Sequence, residues 1–127
     1  MTPVGTPGRH RRPGGDFASR FSQYVEAFTD PDLDRICSHF HPDAAVRVAD
    51  RAHGQVMEWS PRRFYTALFS RVGSAEFQTD HQDKNMDAGW ITVSGRWMQD
   101  DRCCLQAADF FMARGDLTDH LSVVWWS

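Results

Sequence analysis

Asp109 is the residue whose type and neighbours most directly suggest chemistry. It is the one ionisable residue within residues 105–113, an apolar stretch that predicts a strand in the middle of a sheet. Burying an ionised carboxylate among apolar groups is costly, so an Asp109 that faced an apolar cavity would have a raised pKa. Such a carboxyl stays protonated near neutral pH and donates a hydrogen bond, which can stabilise an oxyanion in a dry pocket. The alternative is that Asp109 faces water or pairs with an arginine across the sheet.

The composition indicates one globular domain that follows a short tail. The chain has 127 residues, of which 41% are apolar and 13% are aromatic, and this is enough for a hydrophobic core. Residues 1–15 are rich in Pro, Gly and Arg and contain a single aliphatic side chain, so they predict a disordered tail. Residues 16–127 are predicted to form the domain.

Charge, hydropathy and cysteine content exclude several classes of protein. A net charge of -3 gives no reason to expect nucleic acid or an anionic membrane as partner. No apolar run approaches the roughly 18 residues that span a bilayer, and the N-terminus lacks the apolar region of a signal peptide. Three cysteines without a CxxC motif favour neither a disulfide framework nor a zinc ribbon. We therefore expect a cytoplasmic protein without a metal or a cofactor.

Three helices and five strands are predicted around Asp109. Apolar residues at helical spacing predict helices over residues 17–29, 33–40 and 61–72. Alternating apolar residues and turn signals predict strands over residues 44–50, 77–84, 90–99, 102–113 and 117–126. Helices followed by a long antiparallel meander favour an α+β fold, in which helices cover one face of a curved sheet.

The last predicted strand is apolar on both faces. Along it, Leu121, Val123 and Trp125 alternate with a second set of residues, His120, Ser122, Val124 and Trp126. A sheet with one solvated face would show polar alternation, and helices can cover only one of its faces. We therefore expect Leu121, Val123 and Trp125 to pack against a second subunit in a homodimer.

Several short motifs occur in the order and spacing of one known family. They are Tyr-Val-Glu-Ala-Phe at residues 24–28, Asp-Leu-Asp at 32–34, Phe-His-Pro-Asp-Ala at 40–44, Arg-Phe-Tyr at 63–65 and Asp-Phe-Phe at 109–111. With these motifs the chain resembles the NTF2-like superfamily, and most of all its ketosteroid isomerase and SnoaL-like polyketide cyclase branch. The resemblance implies a cone in which three N-terminal helices pack on a curved, mostly antiparallel sheet and enclose an apolar pocket.

The resemblance also implies an oxyanion hole. In ketosteroid isomerases a tyrosine of the first helix and a protonated aspartic acid of a late strand donate hydrogen bonds to the substrate oxygen. By similarity these roles fall on Tyr24 and Asp109, and a supporting tyrosine of the third helix falls on Tyr65. The position of the aspartate that moves the proton is occupied here by Val48, which cannot take a proton.

Two residues are candidates to replace that base. Asp50 returns to the strand face of Val48 about 7 Å further along, although it could equally be a solvated residue at the start of a loop. His120 is the second candidate, since histidine titrates near neutral pH and suits acid–base catalysis. The resemblance turns the His120 face toward the pocket and so adds three possible substrate contacts, Ser122, Val124 and Trp126. Whether His120 or its neighbour Asp119 faces inward stays open, as does a purely structural role for the histidine.

Arg96 and Ser94 share one face of a predicted strand. An arginine there could bind a carboxylate or a carbonyl oxygen of the substrate, or it could form a salt bridge at the rim. Together with Val48, these residues complete the predicted substrate-binding set.

The sequence leaves three functions open. The first is an isomerase or cyclase that acts on a hydrophobic molecule with a carbonyl group, such as a polyketide or a steroid-like intermediate. The second is a protein that binds a small molecule without chemistry, which the valine at position 48 favours. The third is a ring-closing catalyst of the pericyclic type, which needs shape and hydrogen-bond donors but no base.

Overall fold

The computed structural model describes residues 13–28, 31–52 and 54–127. These residues form three helices, α1 (Pro13–Glu26), α2 (Leu33–Cys37) and α3 (Pro61–Val72). Residues 1–12 of the predicted tail lie outside the described residues. Helix α1 begins at Pro13, inside the segment that the composition predicts to be disordered.

The described residues also form six strands in one sheet. The strands are β1 (Phe40–Asp50), β2 (Gln55–Trp59), β3 (Glu76–Asn85), β4 (Trp90–Gln99), β5 (Arg102–Arg114) and β6 (Leu117–Trp126). Their order across the sheet is β2-β1-β6-β5-β4-β3; β1 and β6 are parallel, and the other neighbouring pairs are antiparallel. Three helices and a six-stranded sheet give the predicted α+β class. In the part of the chain that the structure describes, no helix is long and apolar enough to cross a membrane.

Two elements near the start of the sheet differ from the prediction. Strand β1 begins at Phe40, inside the predicted second helix, so α2 is only five residues long. Strand β2 pairs with the end of β1, where the sequence pattern predicts no strand. Because β2 is a short edge strand with exposed residues such as Val56, it shows little apolar alternation. Helix α3 therefore follows two strands, and the three helices do not all precede the sheet.

Local signals fix both ends of α3. The Ser60 hydroxyl oxygen accepts a hydrogen bond from the backbone N–H of Arg63 at 3.2 Å, and Pro61 occupies the first turn. The first helical position tolerates proline because its N–H has no partner inside the helix. Gly73 ends the helix at a φ of 58°, where a side chain would be strained. The buried face of α3 turns Tyr65 toward the sheet, together with Phe64, Leu68 and Val72.

Two features of β3 and β4 favour curvature of the sheet. A Cβ atom at Gly95 would lie 2.2 Å from the Gln78 carbonyl oxygen and 2.6 Å from the Phe77 ring, so only glycine permits this approach. On β3 the register shifts around Asp80, which is the extra residue of a β-bulge. Glycines and bulges are the usual devices that bend a sheet and redirect its side chains.

On the closing strand β6, the face of Leu121, Val123 and Trp125 packs against the helices and not against a second subunit. Leu121, Val123 and Trp125 are 1%, 2% and 3% exposed, and the Trp125 ring stacks on Phe64 of α3 at 5.7 Å. The prediction that these three residues form a dimer interface is therefore wrong. Their direction is set by a register shift between β5 and β6, in which Asp119 is the extra residue with no paired residue on β5, so that the alternation reverses.

Candidate active site

A cavity of about 760 Å³ lies between the helices and the covered face of the sheet. Its wall combines residues of α1, α3 and the four strands β3 to β6, and most of them are apolar or aromatic. A largely apolar wall with a few polar groups is typical of sites for small molecules. The polar side chains of the wall are Tyr24, Tyr65, Ser74, Glu76, Thr79, Gln82 and Asp109.

Tyr24 and Tyr65 meet in this cavity through their hydroxyl groups. Their oxygens are 2.5 Å apart, and either hydroxyl can be the donor. Aromatic rings surround the pair, including Phe28 at 5.0 Å from the Tyr24 ring and Phe64 at 4.8 Å from the Tyr65 ring. Burial raises the pKa of both tyrosines, so both hydroxyls keep their protons at neutral pH. Since one hydrogen bond uses only one of the two protons, the other O–H can donate to a ligand.

Asp109 lies on the sheet side of the same cavity. It stands on β5 between Val93 of β4 and Val123 of β6, and both valines line the cavity. Within the described residues its carboxyl has no ion pair and no hydrogen bond. Loss of hydration raises the pKa of Asp109 to about 7. An ionised Asp109 would in turn raise the pKa of Tyr24, so the charge of this carboxyl acts on the hydroxyl pair. The structure thus brings together the three residues that the resemblance assigns to an oxyanion hole.

The candidate base Asp50 is held away from this cavity. Val48 is completely buried in β1, and neither Val48 nor Asp50 is part of the described cavity wall. The Asp50 carboxylate accepts a hydrogen bond from the backbone N–H of Ala52 at 3.0 Å and lies 3.9 Å from the Arg71 guanidinium. These contacts hold the side chain at the end of β1. The expectation that Asp50 replaces the missing base in the pocket does not agree with this position.

Four predicted pocket residues of β6 lie on the opposite face of the sheet: His120, Ser122, Val124 and Trp126. The His120 ring nitrogen Nε2 is 2.8 Å from the Ser122 hydroxyl oxygen, so the two side chains satisfy each other there. The expectation that this face lines the pocket is wrong. The bulge in β6 turns Val123 and Trp125 into the cavity wall instead.

Arg96 and Ser94 also face away from the cavity. The Arg96 guanidinium binds the Asp80 carboxylate through two hydrogen bonds, at 3.0 and 2.8 Å. This is the salt bridge that the sequence left open as an alternative. On β4 the alternate residues Val93 and Trp97 line the cavity, so the alternation along the strand was predicted correctly but the inward face was not.

Sequence reasoning missed part of the cavity wall. Trp125 is the largest of these residues; its indole nitrogen Nε1 is buried and has no hydrogen-bond partner among the described residues. Glu76 is a second carboxylate of the wall, but it is exposed at the beginning of β3. The only signal for Trp125 is the alternation along β6, and that signal leaves the choice of face undetermined.

The described residues offer no evident metal centre. They contain no group of three or more His, Cys, Asp or Glu side chains that could hold an ion. His41 donates a hydrogen bond from Nε2 to the carbonyl oxygen of Arg114 at 2.7 Å. Burial lowers the pKa of His39, which therefore favours its neutral form.

Comparison with known proteins identifies the fold. No family model matches the sequence, and no curated protein matches it either. Among solved structures, a steroid delta-isomerase from Pseudomonas aeruginosa superposes with a TM-score of 0.64 at 15% identity, covering 87% of this chain and 79% of that one. An NTF-2 like protein of unknown function from Burkholderia xenovorans gives a TM-score of 0.67 at 9% identity, covering 92% and 88%.

A third solved structure is the epoxide hydrolase/cyclase-like enzyme SalBIII, which has a role in pyran ring formation in the polyether salinomycin. It superposes with a TM-score of 0.63 at 15% identity and covers 91% of this chain and 94% of that one. The chain therefore has the NTF2-like fold, as its motifs indicated. Proteins that share this fold include an isomerase and a cyclase-like enzyme as well as proteins of unknown function, so the function must be argued from the site.

Proposed function

We propose that this protein is an isomerase or cyclase that acts on a hydrophobic small molecule with a carbonyl group. The observation that carries the proposal is an unpaired Asp109 with a pKa of about 7, in the same apolar cavity as a hydrogen-bonded pair of tyrosines. At neutral pH about half of the molecules hold a proton on Asp109, and in this acid form its carboxyl group donates a hydrogen bond. Tyr24 or Tyr65 supplies the second donor.

The two donors would act on the substrate oxygen as negative charge develops on it. Their environment is apolar, so few waters compete for the hydrogen bonds and the donors need little reorganisation during the reaction. One donor of this kind typically contributes a factor of about 10² to 10³ in rate. The Tyr24–Tyr65 hydrogen bond holds the two hydroxyl oxygens together, so the remaining O–H would donate to a ligand from a fixed position.

The residue expected to move the proton is missing, and this favours a narrower set of reactions. Val48 occupies the expected position, and the described cavity wall includes neither Asp50 nor His120. Asp109 itself has the pKa that general acid–base catalysis at neutral pH requires. In an isomerisation its ionised form would take the proton from the α-carbon and return it to the γ-carbon, while a tyrosine hydroxyl donates to the substrate oxygen. A ring-closing reaction would instead proceed on hydrogen bonding and shape alone. The second candidate function, binding without chemistry, rests on the valine at position 48 and on the absence of Asp50 and His120 from the described cavity wall.

Binding of a phenol tests the oxyanion site directly. A naphthol carries one oxygen on an apolar ring system, and its affinity can be measured by titration calorimetry at neutral pH. We expect Asp109→Asn, which keeps a donor, to bind naphthol more weakly than the parent, and Asp109→Ala to lose about tenfold or more. Asp101→Asn, in an exposed turn, removes the same charge outside the cavity and is the matched control. Equal affinity of Asp109→Ala and the parent would refute the oxyanion site.

Turnover separates an enzyme from a binding protein. A β,γ-unsaturated cyclic ketone becomes conjugated when it isomerises, and ultraviolet absorbance follows this reaction. We expect turnover by the parent that falls in Asp109→Ala and in Tyr24→Phe. Tight naphthol binding without turnover of such ketones would favour ring closure or simple binding over isomerisation.

A further inference from the structure

A second cavity of about 400 Å³ adjoins the first one. It lies between α1 and the end of the sheet where β3 turns into β4. Phe21, Val25 and Gln82 line both cavities, so the inner cavity continues into this outer groove. The remaining residues of the outer groove are Ala18, Ser22, Lys84, Met86 and Ile91.

The sequence builds the outer groove from two regular patterns. On α1 the groove residues are spaced by three, one and three positions, which places them on one face of the helix. On β3 the bulge at Asp80 reverses the alternation, so that Gln82 pairs with Val93 and Lys84 pairs with Ile91. Both partners on β4 belong to cavity walls, and the bulge thus turns Gln82 and Lys84 to the concave face of the sheet.

Lys84 gives the outer groove a positive charge. It is the only lysine of the chain, and within the described residues no carboxylate forms an ion pair with its ammonium group. At Lys84 it is the backbone N–H that donates to the Asp83 carboxylate, at 2.9 Å, so this hydrogen bond does not involve the ammonium group. The other polar side chains of the groove, Ser22 and Gln82, are uncharged. One ammonium group balances the charge of one carboxylate, whereas a dianionic phosphate would keep a net negative charge in a groove whose described lining offers no second cation.

We propose that the ligand is longer than the inner cavity and ends in a carboxylate beside Lys84. Its carbonyl-bearing end lies at Asp109 and the tyrosine pair, which rests on the proposed function, and an apolar chain passes Phe21 and Val25 into the outer groove. The substrate class is therefore a hydrophobic acid with a carbonyl group at some distance from its carboxylate. Lys84 is the residue that selects the acid over a neutral analogue.

Three probes with one common ring system test this inference. They are a naphthol, the same naphthol with an ω-carboxybutyl chain on its distal ring, and the methyl ester of that acid. The variant is Lys84→Met, which keeps an apolar stem of similar length and removes the charge. The matched control is Arg102→Gln, which removes an exposed positive charge at the opposite end of the β4–β5 pair.

The parent is expected to bind the acid about three- to fivefold more tightly than the ester, the range of a solvent-exposed ion pair. Lys84→Met should abolish this preference and leave the affinity for naphthol unchanged. The control Arg102→Gln should keep the preference for the acid. Equal binding of acid and ester by the parent, or an equal loss for both probes in Lys84→Met, would overturn the inference. Asp109→Ala should lower the affinity for all three probes by the same factor. Unchanged affinities in this variant would refute the oxyanion site, whereas the role of Lys84 depends only on the comparison of acid and ester.

Discussion

Asp109→Asn should change how the stability of the protein depends on pH. The side chain of Asp109 has a pKa of about 7 in the folded protein against an ordinary value of 3.8, because it is desolvated in the cavity. Between these two values the folded state binds a proton that the unfolded state has lost. The free energy of unfolding therefore falls as the pH rises through this window, and it levels off above about pH 7. The stabilising contribution of Asp109 is complete only below pH 3.8.

The size of this effect follows from the difference between the two pKa values. A difference of about 3 pKa units, at about 1.4 kcal/mol for each unit, gives a change of up to about 4 kcal/mol across the window. Asparagine does not titrate, so Asp109→Asn lacks this contribution but keeps the volume of the side chain. When the free energy of unfolding of the variant is subtracted from that of the parent at each pH, the contributions of the other carboxylates cancel.

Urea unfolding at a series of pH values from 4 to 8 measures the effect. We expect the stability of the parent relative to Asp109→Asn to fall by about 4 kcal/mol over this range. The relative stability of Asp101→Asn, measured in the same way, should stay nearly constant. A parent-minus-variant difference that does not change with pH would show that Asp109 titrates normally, and the donor role at neutral pH would then be lost.

Four further predictions concern the rest of the molecule. Tyr65→Phe should destabilise the protein by about 1 to 3 kcal/mol in urea unfolding, because the buried Tyr24 hydroxyl loses its partner; an unchanged midpoint would contradict the pairing. Gly95→Ala should cost more than about 2 kcal/mol, since the added Cβ would clash with the neighbouring strand, and a fully stable variant would show that the strands can separate. The homodimer stays a prediction, now through the outer face of the sheet, where Val124 is 37% exposed: Val124→Asp should lower the mass in light scattering from two chains to one, and a parent with the mass of one chain would contradict the dimer. Deleting residues 1–12 should leave the melting temperature within a few degrees, and a larger fall would indicate that they pack on the domain.

The sequence predicted the order of elements well because its signals there are local. Apolar spacing and the Ser60-Pro61 cap define α3, and the motifs around Tyr24 and Asp109 fix the fold by resemblance. Residues 55–59 were missed because an exposed edge strand needs no apolar face. The early end of α2 could not be predicted, because β1 begins at Phe40 through its pairing with β6, and Phe40 pairs with Thr118, far away in the chain.

The directions of side chains could not be predicted with the same success. On β6 both faces are apolar, so alternation alone could not distinguish the face of Trp125 from that of Trp126. A bulge at Asp119 decides the matter, and a bulge is a property of strand pairing that leaves no periodic signal in one strand. The expectation that His120 faces the pocket rests on the resemblance, and the bulge turns this residue to the outer face instead. The salt-bridge partner of Arg96 could not be derived from the sequence either, because Asp80 is the extra residue of a bulge in another strand.

Because of the bulge at Asp80, the groove around Lys84 can change without a change in the strands that carry Asp109. Strands β5 and β6 carry Asp109 and its neighbours in the middle of the sheet, where a shift of register would disturb two partners at once. Strand β3 is an edge strand with one partner, so a single-residue insertion or deletion there disturbs only the pairing with β4. Losing the extra residue would exchange the inward and outward side chains beyond it, and Lys84 would leave the groove. Relatives of this protein could thus acquire a new preference for the distal end of their ligands by a change of length, while the residues at the reacting end stay the same.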